Sequence, residues 1–548
     1  MRVFLLLALA LAGVAARPPP KRCLTSMFGA QPSEAIYATD GLQAALDYCK
    51  ETCGTVVVDK PGTYLTGTLR LTDCVHLEVP AGVTLLAGTQ RGDYPGGQEA
   101  WYLLRFDRCS KCSVTGGGAI DGNARKWVLA APLTAAAANT AGPEPASGDP
   151  AQASSGARAL LAAQQEQPAL SLELEAAENG GAGAQGYREP PTKAVRNWDD
   201  PSCPDPQQCR PRLVGVVDST DVVISGISIK DPVYTALGVF QSDRVTIQGV
   251  KIAGDFGIQN TDGIILDGSR YVHVKGAEVD VAGDGLGLQA SSGKALEHVD
   301  VADCRLRSRS SAVRLGQVAQ ADIRYVSFKG LTIDESARGL AIQLRDKGSI
   351  SHISFSQVSI ATKLFDPHWW PGQAEPIYVT AVPRDSSTKL GAVFEVSFKD
   401  VRATGENGIF LAGGPMGIDR PGQRRPSKDY SLSVISLERV SVELAKRSIY
   451  AGGCQDYRPS RGEGAPSAPG GPWWPAGLDC KHGGTAPIWV SGAQRVSLKS
   501  IAVRYSRPAR KDWLRQVWID PFSTFEVQTT DVVVSGLEGA TAQERPPS

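Results

Sequence analysis

Residues Asn260 to Gln289 read NTDGIILDGSRYVHVKGAEVDVAGDGLGLQ. The phrase Asp262-Gly263-Ile264-Ile265-Leu266 returns twenty-two residues later as Asp284-Gly285-Leu286-Gly287-Leu288. If each phrase is one turn of a solenoid, the two carboxylates occupy equivalent points on neighbouring coils, about 4.8 Å apart in backbone spacing. Carboxylates held that close perturb one another's ionisation, and such pairs recur at glycoside-cleaving sites.

Working outward, similar strands open at Asp221, Arg244, Tyr271, His298, Tyr325, His352, Glu395, Val434, Arg495 and Asp531, and the spacing from Arg244 to His352 is 27 residues four times running. A near-constant period of short β-branched strands and polar or glycine turns predicts an all-β chain wound as a right-handed parallel β-helix. An antiparallel sandwich is the competing architecture, and the constant period disfavours it. Asp40 to Cys49 reads as an amphipathic helix followed by short strands, an N-terminal cap closing the first coil.

Each coil carries a second strand: DGIIL from Asp262, DGLGL from Asp284, SAVRL from Ser311, RGLAI from Arg338, EPIYV from Glu375, NGIFL from Asn407, RSIYA from Arg447 and APIWV from Ala486. The third and fifth residues are aliphatic in almost every phrase and should face the interior. The first position forms a polar column. The fourth, which includes Arg314, Tyr378, Phe410, Tyr450 and Trp489, is aromatic throughout the later coils. An aromatic ladder beside polar groups predicts a groove for a sugar chain, whose apolar ring faces stack while its hydroxyls find partners. The catalytic candidates are Asp262 and Asp284. Candidates for substrate contact are Asn260, Gln289, Ser311, Arg314, Arg338, Gln343, Arg345, Glu375, Tyr378, Asn407 and Phe410, with Glu375 also a candidate acid. Each has a bland counterpart: acid-glycine pairs are ordinary turn chemistry, and the ladder can pack beneath a loop. The Trp-rich runs at 365–371 and 471–475 read as clasps for long loops in preference to stacking walls of a cleft.

Met1 to Ala16 has the basic start, apolar run and small residues of a signal peptide, which predicts a secreted protein, extracellular or in a cell wall. Balanced charge, 57 basic against 57 acidic residues, gives no footprint for nucleic acid or an acidic membrane. Eleven cysteines suggest disulfides, with Cys49/Cys53, Cys109/Cys112, Cys203/Cys209 and Cys454/Cys480 locally plausible and one thiol left over. No ligand cluster calls for a metal or cofactor, and oligomeric state is not legible. The expected organisation is a signal peptide at 1–16, cap and first coils at 17–129, a low-complexity disordered insertion at 130–192, the main β-helix at 193–540 and a disordered tail at 541–548.

Gly62-Thr-Tyr-Leu-Thr-Gly67, Gly118-Ala-Ile-Asp-Gly122, Arg212-Leu-Val, Asn260-Thr-Asp-Gly263 and Ala282-Gly-Asp-Gly-Leu-Gly-Leu288 together resemble the family 28 glycoside hydrolases, the polygalacturonase group, and the stretch from Ser310 through Arg345 with Glu375-Pro-Ile-Tyr-Val-Thr-Ala381 is most similar to its bacterial-type branch. The resemblance implies a parallel β-helix and inverting hydrolysis of a pectin-like polygalacturonan, with Asp262 and Asp284 as water-activating carboxylates. The family's Asp-Asp pair falls on Gly283-Asp284, which drops the usual general acid. A one-residue shift would make Asp284 that acid but breaks the alternation of Leu286 and Leu288. The family's histidine falls on Ser311 and its Arg-Ile-Lys motif on Ala341-Ile342-Gln343, leaving Arg314, Arg338 or Arg345 as substitute cations. Two alternatives follow: a degenerate relative that binds polysaccharide without cleaving it, and a calcium-dependent polysaccharide lyase.

Overall fold

The structure, a computed structural model, describes residues 21–129, 191–366, 372–384, 388–414, 430–450, 452–457, 478–479, 486–506, 517–521 and 524–536. The signal-peptide region, nearly all of the expected insertion, the tail at 541–548, most of the 365–371 run and all of the 471–475 run lie outside them. The described residues wind into a right-handed parallel β-helix with one sheet of 22 strands and one of 12. In the smaller sheet, Leu237–Phe240, Ile264–Asp267, Leu286–Ala290, Ser311–Ala319, Arg338–Leu344, Ile377–Ala381, Ile409–Ala412 and Ile488–Ser491 are consecutive neighbours.

The register follows the alternation of the sequence. Ile264, Leu286, Val313 and Leu340 pair in turn, as do Leu266, Leu288, Leu315 and Ile342, and all are buried. Side chains therefore stack on their own kind. Inside, Phe328, Phe355 and Phe398 stack at 4.5 and 5.0 Å, and on the outer surface Tyr271, His298 and Tyr325 stack at 4.9 and 5.2 Å.

The coils bend where columns of residues share a left-handed backbone. Asp221, Arg244, Tyr271, His298, Tyr325, His352, Glu395, Val434 and Arg495 all have φ between 52° and 58°. Such a conformation is uncommon for side chains of this bulk, so the path of the neighbouring coils imposes it. The last member of that column is Glu526 rather than Asp531, because Val496 pairs with Val527. Asp531 belongs to a second left-handed column with Asp400, Arg439 and Ser500.

Another expected register fails. Phe410 pairs directly with Trp489, and Ile449 is 93% exposed, so RSIYA from Arg447 is not a coil strand. Its aliphatic spacing imitates the repeat without the flanking strand phrase that would place it in the stack.

At the start, the helix Thr39–Lys50 buries Leu42, Ala45, Leu46 and Cys49 over the first coil. Cys49 pairs with Cys23 and Cys53 with Cys74, correcting the expected Cys49/Cys53 pair: Cys49 lies on the buried helix face, whereas Cys53 sits in the turn beyond it with φ 52°. Cys109–Cys112 and Cys203–Cys209 are disulfides, and Cys454 is bonded to a cysteine outside the described residues. Cys304 is a buried free thiol that burial pushes up in pKa. A thiol reagent should leave the Cys304 peptide unlabelled in the native protein and label it in denaturant, as read by peptide mass spectrometry. The final strand, Phe525–Ser535, is largely exposed.

Candidate active site

Asp262 and Asp284 occupy the turns that feed two adjacent strands of the smaller sheet, and backbone pairing continues through both turns. The Gly263 N–H donates to the Asp284 carbonyl at 2.9 Å, and the Gly285 N–H to the Ser311 carbonyl at 2.9 Å. Buried Thr261 anchors the entry by donating its hydroxyl to the Ile258 carbonyl. The two acids are thus brought side by side. Asp262 Oδ1 accepts the backbone N–H of Asp284 at 2.9 Å.

The two carboxyls have different surroundings. Asp284 is 4% exposed, and its Oδ1 accepts the Ser310 hydroxyl at 2.7 Å and the Ser311 N–H at 3.3 Å, while its Oδ2 accepts Arg314 Nη1 at 3.1 Å. Asp262 reaches solvent in part, yet enough protein surrounds its carboxyl that burial, followed by the charge of Asp284, raises its pKa to about 7. The Asp284 N–H and the guanidiniums of Arg314 and Arg212 oppose that rise without cancelling it.

Gly283, where the family pattern carries its second aspartate, has no room for one in this arrangement. A Cβ there would lie 2.3 Å from Asp262 Oδ1 and 2.8 Å from the Thr261 carbonyl carbon. Glycine at 283 is what lets the Asp262 carboxylate lie this close to the backbone.

Cations flank the pair. Arg314 Nη2 donates to Gln343 Oε1 at 3.0 Å, so two of the residues expected to bind substrate orient each other. Burial, then the charges of Arg314 and Arg384, lower the pKa of Arg345 to about 9, and its Nε is buried with no hydrogen-bond partner. On the other side, the Arg212 guanidinium lies 5.1 Å from the Tyr234 ring and 5.6 Å from that of Tyr102. Arg212, Tyr234, Ser310 and Arg384 were missed as site residues. Arg212 and Ser310 left a trace, in the Arg212-Leu-Val phrase and at the start of the Ser310–Arg345 stretch; Tyr234 and Arg384 lie off the repeat positions.

Several expected substrate contacts face elsewhere. Arg338 is 2% exposed and pairs with Glu375 through Nε at 2.9 Å and with Asp456 through Nη2. Glu375 is fully buried in that pair, which removes it as a candidate acid. Tyr378 and Phe410 are buried, stacked at 5.6 Å and covered by Tyr457, so the later ladder is core rather than a sugar platform. Asn407 donates to the Cys454 carbonyl at 3.4 Å and so holds a loop. Asn260 is exposed ahead of Asp262 and Gln289 reaches solvent in part at the far end of the neighbouring strand, so the two do not converge on one point of the site.

A trough of about 730 Å³ lies on the larger sheet, lined by Ser359, Arg402, Ser441 and Ala502. Its one carboxylate, Asp400, is bound by Arg439 and lowered in pKa by it, and no second acid lines the trough to complete a carboxyl pair.

The glycosyl hydrolases family 28 sequence model matches residues 164–407, a stretch that contains both acids. The chain is similar to the family 28 glycosyl hydrolases over that stretch, which is under half of its 548 residues. Among curated relatives it is 27% identical over 173 residues to endopolygalacturonase A of Aspergillus awamori, covering 30% of this chain and 45% of that one. It is 22% identical over 240 residues to a polygalacturonase of Cryptomeria japonica, covering 43% and 44%. The matches thus span less than half the length of either relative. In fold, the chain is similar to the family 28 exopolygalacturonase of Yersinia enterocolitica, with TM-score 0.58, 15% identity and coverage of 93% and 78%. The exopolygalacturonase of Thermotoga maritima gives TM-score 0.54, 16% identity and coverage of 78% and 88%.

Proposed function

We propose that this protein is a secreted hydrolase of a pectin-like polygalacturonan. The observation that carries the reading is the unequal carboxyl pair. Asp262 keeps its proton near neutrality, while Asp284 stands beside it in an ion pair with Arg314. Hydrolysis of a glycosidic bond needs one group of each kind. Water attacks the anomeric carbon as Asp284 takes its proton, the carbon–oxygen bond breaks, and Asp262 delivers a proton to the leaving oxygen. We assign the inverting course to this step by resemblance. The guanidiniums of Arg212 and Arg314 near Asp262, with that of Arg345 next to Arg314, suit a polymer with a carboxylate on every sugar. Export follows from the Met1–Ala16 segment, and among the described residues no helix is long and apolar enough to cross a membrane.

The test is release of reducing ends from polygalacturonan, methyl-esterified pectin and neutral wall polysaccharides. Release from polygalacturonan that disappears in Asp262→Asn supports the assignment, and release unaffected by that change refutes it. Arg345→Gln should raise KM on polygalacturonan roughly 10–100-fold, the scale of one charge-assisted contact, with a smaller change on methyl-esterified pectin.

A second reading, binding without cleavage, draws on Gly283: the usual acid is gone and its space is filled. No cleavage of any substrate, with polygalacturonan still bound, would select it. The lyase reading gains no support, because no group of three or more His, Cys, Asp or Glu side chains is arranged to hold a metal among the described residues.

A further inference from the structure

The outer face of the smaller sheet, which carries the carboxylate pair, has two unlike ends. Toward the N-terminal coils it reaches solvent, with Arg70 exposed and Arg105, Arg212, Tyr234 and Phe240 partly exposed. Toward the C-terminal coils the same row passes from Arg314 to Ala341, Tyr378 and Phe410, which are 1%, 0% and 4% exposed.

The cover on that side includes a short strap, residues 454–457, whose Gln455 and Asp456 form an antiparallel bridge with Leu478 and Asp479. The strap is fastened at several points. Arg338 Nη2 holds the Asp456 carboxylate, the Tyr378 hydroxyl donates to the Asp456 carbonyl at 2.9 Å, and Asn407 donates to the Cys454 carbonyl. Tyr457 sets its ring edge-on to Phe410 at 5.2 Å. Arg338 also lies 3.7 Å over the Tyr378 ring, so the ion pair and the aromatic stack are one assembly. Three coils separate Gly287, on the strand that follows Asp284, from Tyr378. At about 4.8 Å per coil the strap lies about 14 Å beyond that strand. A polymer laid along the whole face would have to displace a buried ion pair, which leaves uncompensated charge inside.

We infer that the strap makes this a chain-end enzyme: an acidic polysaccharide enters from the open side with its terminus against the strap and is shortened from that terminus. This rests on the hydrolase reading above and adds the mode of attack. Water adds across one bond near the terminus, so each turnover frees a short fragment and leaves the remaining polymer nearly full length.

The experiment follows polygalacturonan viscosity, reducing ends and product size together during digestion by the full-length protein. The expected result is steady release of one short product while viscosity hardly falls. An early collapse of viscosity with a ladder of mixed oligomers overturns the inference while leaving the hydrolase reading intact. If no reducing ends appear, the hydrolase reading fails, and titration with oligogalacturonates of increasing length decides the strap's role separately. One protein bound per chain at every length supports end recognition, and several proteins on the longer chains overturn it. Tyr457→Ala, which loosens the strap without touching the buried charges, should broaden the product distribution of a protein whose melting temperature shows it to be folded. An unchanged distribution in that variant overturns the inference.

Discussion

Replacing Asp262 by asparagine is expected to reduce reducing-end release from polygalacturonan by about 10²–10⁴-fold, the usual contribution of one proton-transfer group. Asparagine retains an oxygen to accept the Asp284 N–H, so the turn should survive. The wild-type pH profile carries the same signature. Asp262 must be protonated to serve as acid, so activity should fall as pH rises through about 7. In Asp284→Asn the neighbouring charge that raises Asp262 is gone, and any residual activity should have its alkaline limb at lower pH. Stability moves the same way. Because the folded-state pKa lies above the unfolded value, the native state holds the extra proton, and that stabilisation is complete at acid pH and is lost as pH rises through about 7. Asp262→Asn should therefore gain melting temperature relative to wild type at pH 8 and show little gain at pH 4, as read by thermal unfolding at the two pH values. A wild-type profile with no alkaline limb near 7 would remove Asp262 from the acid role.

The largest loss of stability is expected from Arg338→Met. Glu375 and Asp456 would then share an interior site with no guanidinium between them, and breaking a buried pair by removing one partner costs about 3–5 kcal/mol. Denaturant unfolding should show the midpoint moved to lower denaturant and the unfolding free energy in water reduced by that amount. Adding Glu375→Gln and Asp456→Asn to Arg338→Met should recover part of the loss, because the buried charges are then gone. A single variant as stable as wild type would mean that the strap is fastened by other contacts.

The winding was legible because a solenoid writes its geometry into every coil. The same aliphatic positions recur, and Ile264, Leu286, Val313 and Leu340 stack where their spacing places them. The adjacency of Asp262 and Asp284 follows from that register. What failed was whatever depends on segments outside the repeat. Tyr378 and Phe410 hold the groove positions their spacing predicts, yet residues 454–457 bury them, and no periodicity links Asp456 to Arg338, 118 residues earlier. The phrase at Arg447 mimics a coil in its aliphatic spacing alone. Glycine at 283 reads as a lost acid, and only the coordinates show that Asp262 fills its place.

The distribution of cross-links along the coils has a mechanical consequence. All four disulfides with both halves described lie before Arg210, joining the helix, the first strands and the segment that rejoins the β-helix. At the opposite end, Phe525–Ser535 is paired along one side to Ala493–Tyr505 and is mostly bathed in water. Where each coil leans only on its neighbours, unravelling proceeds coil by coil from the weaker terminus. A further cross-link starts at Cys454, so among the described coils it is the strand Phe525–Ser535 that is held least, and heat or pulling should release it before the riveted N-terminal coils.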